Sequence, residues 1–291
     1  MNGDIFRPGL MSDQVALVSG GGSGIGRVTA LQLAALGAKV VICGRRLEPL
    51  EETIALHAAA DQQDADVAAQ GGIYPVLCDV REEEQVDLLI DQLLADHGRL
   101  DVLVNNAGGQ FLAPAEHITP KGFRTVIKLN VESTWLMTHA AATKAMIPAG
   151  YGKVISVTLS PHNGMPGMVH SGAARAAVEN MMKTLSVEWA RYGIRCNAVA
   201  PGQIATDTFM TKYPKELVDL MSTTIPAGRL GDPEEIAAAI TYLASPAGDF
   251  ISGTTLTIDG ARDNWFGHWP PAAAATPEGR PLAEQRRPRP A

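Results

Sequence analysis

Ser171, Arg175 and Glu179 are spaced by four, so a hydroxyl, a permanent cation and a carboxylate share one helix face. They fall in VHSGAARAAVENM (169–181). Arg175 can hold sugar hydroxyls, and Glu179, one turn further, can donate a proton or position a water. A structural Arg175–Glu179 pair, or a carboxylate at a subunit interface, accounts for the same spacing. The Ser171 hydroxyl has nothing nearby to activate it, and an arginine cannot act as a proton reservoir near neutral pH. His170 and His162 are the other titratable groups close by, and a structural hydrogen-bonding role also fits His170.

A second constellation suits a phosphate. SGGGSGIG (19–26) follows the apolar run VALVS and opens a helical pattern. Its glycines, Gly20, Gly22, Gly24 and Gly26, let the backbone turn tightly and approach a pyrophosphate, and Ser23 and Ile25 lie at the start of the helix, whose amides donate. The second apolar run ends in CGRR, where an acid would accept the ribose hydroxyls of NAD. Arg45 and Arg46 stand there instead and suit a 2′-phosphate, so NADP(H) is the expected cofactor. A solvated helix-cap role is more natural for Arg46 than for Arg45. Asp79, followed by Val80, can hydrogen-bond adenine or cap the next helix. NNAG (105–108) places Asn106, Ala107 and Gly108 against the cofactor, and Gln110 and Phe111 lie just beyond, on the path of a substrate.

These groups need a scaffold. VALVS, KVVIC, IYPVLC, DVLVN, VISVT, RCNAVA and TLTID are short β-rich runs separated by stretches long enough for crossover helices. Near-continuous apolar strands alternating with helices predict an α/β fold, a parallel sheet covered on both faces. Helices are predicted over 25–36, ended by Gly37, and over 171–192, ended by Gly193. QQDADVAAQGG (62–72) enlarges a surface connection. Residues 1–262 read as one domain. Residues 263–291 read as an extension whose Trp265, Phe266 and Trp269 anchor its first part before a loose tail.

Composition narrows the function. A net charge of -7 gives no general attraction to nucleic acid or anionic membrane, and the basic RRPRP run is short and terminal. No segment has the length and apolarity of a membrane span or a signal peptide, so a cytoplasmic protein is expected. The seven histidines show no HExxH spacing, and Cys43, Cys78 and Cys196 read as buried core thiols, so no metal is expected.

With Asn130 and PGQIAT (201–206), these motifs resemble those of the short-chain dehydrogenase/reductase family over roughly residues 12–262. The resemblance implies a seven-stranded Rossmann-type doubly wound sheet, and a homo-oligomer, usually a tetramer, built through long helices. It implies that Asn130 holds a water and a helix bend near the active site. Ile204 and Thr206 would meet the nicotinamide carboxamide and the adjacent phosphate, with Pro201 and Gly202 also at the cofactor. That family's usual site is a serine followed by Tyr-x-x-x-Lys. Here Ser171 aligns with the tyrosine and Arg175 with the lysine. Thr158 or Leu159 aligns with the serine, depending on the register, with Thr158 preferred and Ser160 a second hydroxyl.

GGQFLAPAEHI (108–118) and HSGAARAAVENM (170–181) are similar to the peroxisomal-type trans-2-enoyl-CoA and 2,4-dienoyl-CoA reductases, which share the remodelled site. In that subgroup hydride goes to a conjugated thioester, and a phenol beside an alkoxide is not obligatory. The implied substrate is an acyl-CoA or a similar apolar molecule. Residues 207–230 read as a substrate lid, with Met210, Leu217, Leu220 and Met221 either walling an acyl chain or packing a helix. A terpenoid dehydrogenase of the citronellol/citronellal type, and a cofactor-binding subunit without catalysis, are the other readings.

Overall fold

The computed structural model describes residues 6–61, 71–160, 163–212 and 214–265. His162, Phe266, Trp269, most of the 62–72 connection and nearly all of the C-terminal extension lie outside the described residues, as does the side chain of Leu217.

Seven strands form one sheet: β1 (Val15–Ser19), β2 (Lys39–Gly44), β3 (Gly72–Leu77), β4 (Val102–Asn105), β5 (Gly152–Val157), β6 (Ile194–Pro201) and β7 (Thr255–Ile258). Their order across the sheet is β3-β2-β1-β4-β5-β6-β7, and every pairing is parallel. The expected runs match these strands to within one or two residues.

Alternation along a strand sends successive side chains to opposite faces. In β1, Val15 and Leu17 enter one core and Ala16 and Val18 the other. α3 (Glu83–His97), α5 (Ser133–Ala141) and α7 (Val169–Glu188) cover the first face, through Leu89 and Leu93, Met137 and Ala141, and Met182 and Leu185. α1 (Gly24–Ala35) and α10 (Pro233–Ala244) cover the second through Leu33, Ile236 and Ile240. Each such leucine, isoleucine or methionine contributes roughly 1.5–3 kcal/mol on burial. The central strands β1, β4 and β5 are buried throughout, whereas β3 and β7 are the part-exposed edges. Pro75, which lacks an N–H, sits in edge strand β3, where a missing donor is tolerated.

The remaining helices are α2 (Leu47–Asp61), α4 (Pro120–Ile127), α6 (Ile147–Ala149), α8 (Asp207–Lys212) and α9 (Lys215–Thr223). α4, α5 and α6 run on from one another, joined by π-helical turns at Lys128–Glu132 and Ala142–Met146. The chain order reverses direction between β1 and β4, and such sheets open a crevice at the carboxyl ends of their strands at that point. No helix among the described residues is long and apolar enough to cross a membrane.

Candidate active site

The crevice is built around Ser19. Its hydroxyl accepts hydrogen bonds from the N–H groups of Asn106 and Ala107, each at 3.0 Å, which ties the end of β4 to the end of β1. The Asn106 amide returns the contact by donating to the Ser19 carbonyl at 3.0 Å. Gly20 follows at φ 68°, a left-handed conformation that glycine adopts without strain. A methyl group at Gly26 would come within 2.4 Å of both the Gly20 carbonyl oxygen and the Asn106 amide, so the start of α1 approaches the turn as closely as atoms permit. Arg27 locks the cradle from behind, donating to the Gly22 carbonyl at 2.5 Å and pairing with Glu52 at 2.6 Å. Sequence reasoning missed Arg27; its only signal was its place one residue past the glycine motif.

A cavity of about 270 Å³ opens over this cradle. Gly20, Gly22, Ser23, Arg45, Arg46, Asp79, Val80, Asn106, Ala107 and Gly108 all line it, so three strand ends and the glycine turn meet there. Arg45 and Arg46 are both exposed at its edge. Asp79 is held by Arg81 through two contacts of 2.8 and 2.5 Å, which keep its carboxyl below the usual range. The N-cap position of α3 belongs to Glu82 rather than Asp79, so the Asp79 side chain faces the cavity and Arg81 instead of capping that helix. Gly24 and Ile25 begin α1, and Thr206 reaches the same place from beyond β6. Its methyl lies 3.3 Å from where a Gly24 side chain would start, and its hydroxyl accepts from the Phe209 N–H at 3.2 Å. Pro201 ends β6, Gly202 donates to Ile258 at 2.9 Å, and Ile204 bridges to Gly231.

Side chains rather than backbone build the neighbouring half. Asn130 is fully buried in the first π-helical turn. Its amide donates to the carbonyls of Gly109 and Val126, both at 2.8 Å, and its oxygen accepts from the Gly109 N–H at 3.2 Å. It thereby fastens the segment after β4 to the helix bend. A methyl group at Gly108 would fall 2.5 Å from the Arg175 guanidinium and 2.7 Å from the Asn130 oxygen, so the two halves touch across that residue. Arg175 donates to the Val157 carbonyl at 2.9 Å, and burial pulls its guanidinium down to about 10. Four residues on, Glu179 is buried and accepts from the Thr158 hydroxyl at 3.0 Å. Thr158 thus meets α7 just past the end of β5, and Leu159 lines a second cavity of about 540 Å³ together with Gly172, Arg175 and Glu179.

Ser171 is fully buried at the start of α7 and donates to the Gln110 side chain at 3.2 Å. The His170 ring, also buried, accepts the Ser171 N–H through Nδ1 at 2.8 Å and stands edge-on to Phe111 at 4.4 Å. The pairs Gln110–Phe111 and His170–Ser171 therefore face one another. Ser160 donates instead to Asp259 at 2.5 Å, next to the end of β7. Asp259 was not singled out from the sequence, because nothing in TLTID marks one acid as a partner of β5. In the expected lid, Met210 and Leu220 are exposed, while Val218 and Ile225 are buried. The described residues contain no group of three or more potential metal ligands.

The cradle fits a dinucleotide on its own geometry. Glycines stand where any side chain would collide, amides open at a helix start, and two guanidinium groups lie at the far edge. Comparison with known proteins agrees. Residues 20–261 match the family described as enoyl-(acyl carrier protein) reductase. A probable 2,4-dienoyl-CoA reductase of Bacillus subtilis is 35% identical over 265 residues, covering 89% of this chain and 100% of that protein. The peroxisomal 2,4-dienoyl-CoA reductase of Arabidopsis thaliana is 35% identical over 88% of this chain and 86% of its own length. Among solved structures, a citronellol catabolism dehydrogenase of Pseudomonas aeruginosa PAO1 is 42% identical with a TM-score of 0.76, covering 89% of this chain and 98% of that one.

Proposed function

The chain belongs to the short-chain dehydrogenase/reductase family, oxidoreductases whose Rossmann fold binds a nicotinamide cofactor, and from that premise we propose that it reduces the conjugated double bond of an enoyl-CoA, trans-2-enoyl or 2,4-dienoyl, with NADPH. The observation that carries this reading is the head of α7. Where an alcohol-oxidising relative holds a phenol, this chain has Ser171, and its hydroxyl is committed to Gln110. Such a site lacks the usual proton donor to an alkoxide, but a thioester enolate asks for less.

The cofactor, when bound, supplies the hydride. The glycine cradle and Asn106 would hold its pyrophosphate, Arg45 with Arg46 its 2′-phosphate, and Asp79 its adenine. Arg175 would take the ribose, fixed by the Val157 carbonyl. Gln110 offers a donor for the negative charge that develops on the thioester oxygen, and the Thr158 hydroxyl adds its own once a protonated Glu179 donates to it instead of accepting from it. Glu179, beneath Thr158, would deliver or relay the proton to carbon. Phe111 and Met210 supply apolar surface for the acyl chain. We take the working form to be a cytoplasmic homo-oligomer, a tetramer; the exposed Trp135 and Val187 on α5 and α7 support association through long helices.

A second reading, oxidation or reduction of a citronellol-type terpenoid, is favoured by one observation, the 42% identity to the Pseudomonas dehydrogenase. One experiment separates the two. NADPH oxidation is followed with crotonyl-CoA, a longer enoyl-CoA, a dienoyl-CoA and citronellal side by side. Turnover of the thioesters alone is expected; turnover of citronellal alone would replace the first reading with the second.

A further inference from the structure

The cavity over the glycine turn holds a feature that cofactor binding does not use. Cys43, at the end of β2, and Cys78, just after β3, are both buried and both line it. In the parallel register Cys43 lies opposite Val76, and Cys78 stands two residues further, so the two thiols project from the same face of the sheet. Each thiol shifts the other's titration, raising that of Cys43 and lowering that of Cys78. Each is tied into the cradle through its backbone. The Cys43 carbonyl accepts the Gly20 N–H at 2.8 Å, and Cys78 donates to Gly44 at 3.0 Å and immediately precedes Asp79.

We propose that Cys43 and Cys78 form an oxidation-sensitive pair in the wall of the dinucleotide cavity, closing to a disulfide on exposure to a hydroperoxide and so blocking cofactor binding. The chemistry balances in two steps. The Cys78 thiolate attacks one oxygen of hydrogen peroxide, giving a sulfenic acid and releasing hydroxide as the O–O bond breaks. The Cys43 thiol then displaces that oxygen as water and forms the S–S bond. Peroxide is reduced and the two thiols are oxidised by two electrons. The order of events follows from the surroundings. Interaction with Cys43 lowers the Cys78 pKa and favours its thiolate, while the Cys78 neighbour and burial raise the Cys43 pKa and favour its thiol. The third cysteine, Cys196, has burial alone around it, which pushes its thiol up to about 12 and leaves it inert.

The consequence for binding is direct. One bond would join the residue that anchors Gly20 to the residue that precedes Asp79, drawing β2 and β3 together beneath the adenosine end of the cavity. A bound dinucleotide would cover both thiols and protect them.

The test treats the whole chain with hydrogen peroxide, with and without NADPH, then maps cysteine-containing peptides by mass and measures cofactor affinity by fluorescence. The expected result is a Cys43–Cys78 peptide lighter by two hydrogens, free Cys196, cofactor affinity reduced at least about tenfold, recovery with dithiothreitol, and slower cross-linking when NADPH is present. In Cys43→Ser and Cys43→Ala, each compared with its own untreated sample, Cys78 should stop at the sulfenic or sulfinic acid with no cross-link. Three outcomes would overturn the proposal: free Cys43 and Cys78 after peroxide has abolished binding, the cross-link present with affinity unchanged, or a Cys78 oxyacid without cross-link in the unsubstituted chain.

Discussion

The two halves of the crevice are made differently. Around the glycine turn the main contacts each have a backbone partner: Gly20 to the Cys43 carbonyl, the Asn106 and Ala107 N–H groups to the Ser19 hydroxyl, and the start of α1 against the turn. Around α7 they are side chain to side chain, Thr158 with Glu179 and Ser171 with Gln110, and each joins elements distant in sequence. A backbone cradle tolerates almost no added volume but is indifferent to most side-chain chemistry. A side-chain site tolerates exchange of one polar group for another, and the alignment proposed for Ser171 and Arg175 with the family's usual tyrosine and lysine is an exchange of that kind.

Substitutions should expose that asymmetry. The largest effect is expected from Gly26→Ala, whose methyl meets a backbone oxygen that cannot move aside. Overpacking of about 2–3 kcal/mol should weaken NADPH binding about 100-fold in a fluorescence titration, and a loss below threefold would show that the cradle yields. Arg45→Ala comes next. Losing a charge-assisted contact of about 1.5–3 kcal/mol should raise the Kd for NADPH at least about tenfold and leave that for NADH within a factor of two. Equal loss for both would remove the 2′-phosphate assignment.

On the other side, Glu179→Gln keeps an acceptor for the Thr158 hydroxyl but removes the proton. Turnover of an enoyl-CoA should fall roughly tenfold with cofactor affinity unchanged, and unaltered kcat would leave Glu179 a structural residue. The smallest effect concerns Asp79. Arg81 lowers its pKa from 3.8, so the pair stabilises the fold fully above that ordinary value and loses its contribution as pH falls through the lowered one. Arg81→Ala should therefore cost about 0.5 kcal/mol near neutral pH and shrink towards nothing in acid, read from urea melts at several pH values.

The same contrast explains what was legible in the sequence. Strand runs, the glycine turn, CGRR and NNAG are local patterns with local causes, and the structure brings their residues into one cavity. The α7 face was legible as a spacing, but its partners were not. Nothing in the stretch says that Ser171 meets Gln110 or that Glu179 meets Thr158, because those pairings depend on where β4 and β5 end. Asp259 illustrates the limit, since its contact with Ser160 spans 99 positions. The expected ends of α1 and α7 differ from the structure by a few residues, where the last turn of α7 tightens to a 3₁₀ turn at Ala190–Tyr192.

The hook at Ser19 also bears on how the chain folds. Its bonds to Asn106 and Ala107 join residues 87 and 88 positions apart, and the β1–β4 ladder beside them closes a loop of the same size. Loop closure of that length comes only after its entropy has been lost, so local helices form earlier than this junction. A dinucleotide that touched both ends of the hook would favour the closed chain over the open one by mass action, so the cofactor would add to the stability of the fold as well as supply the hydride.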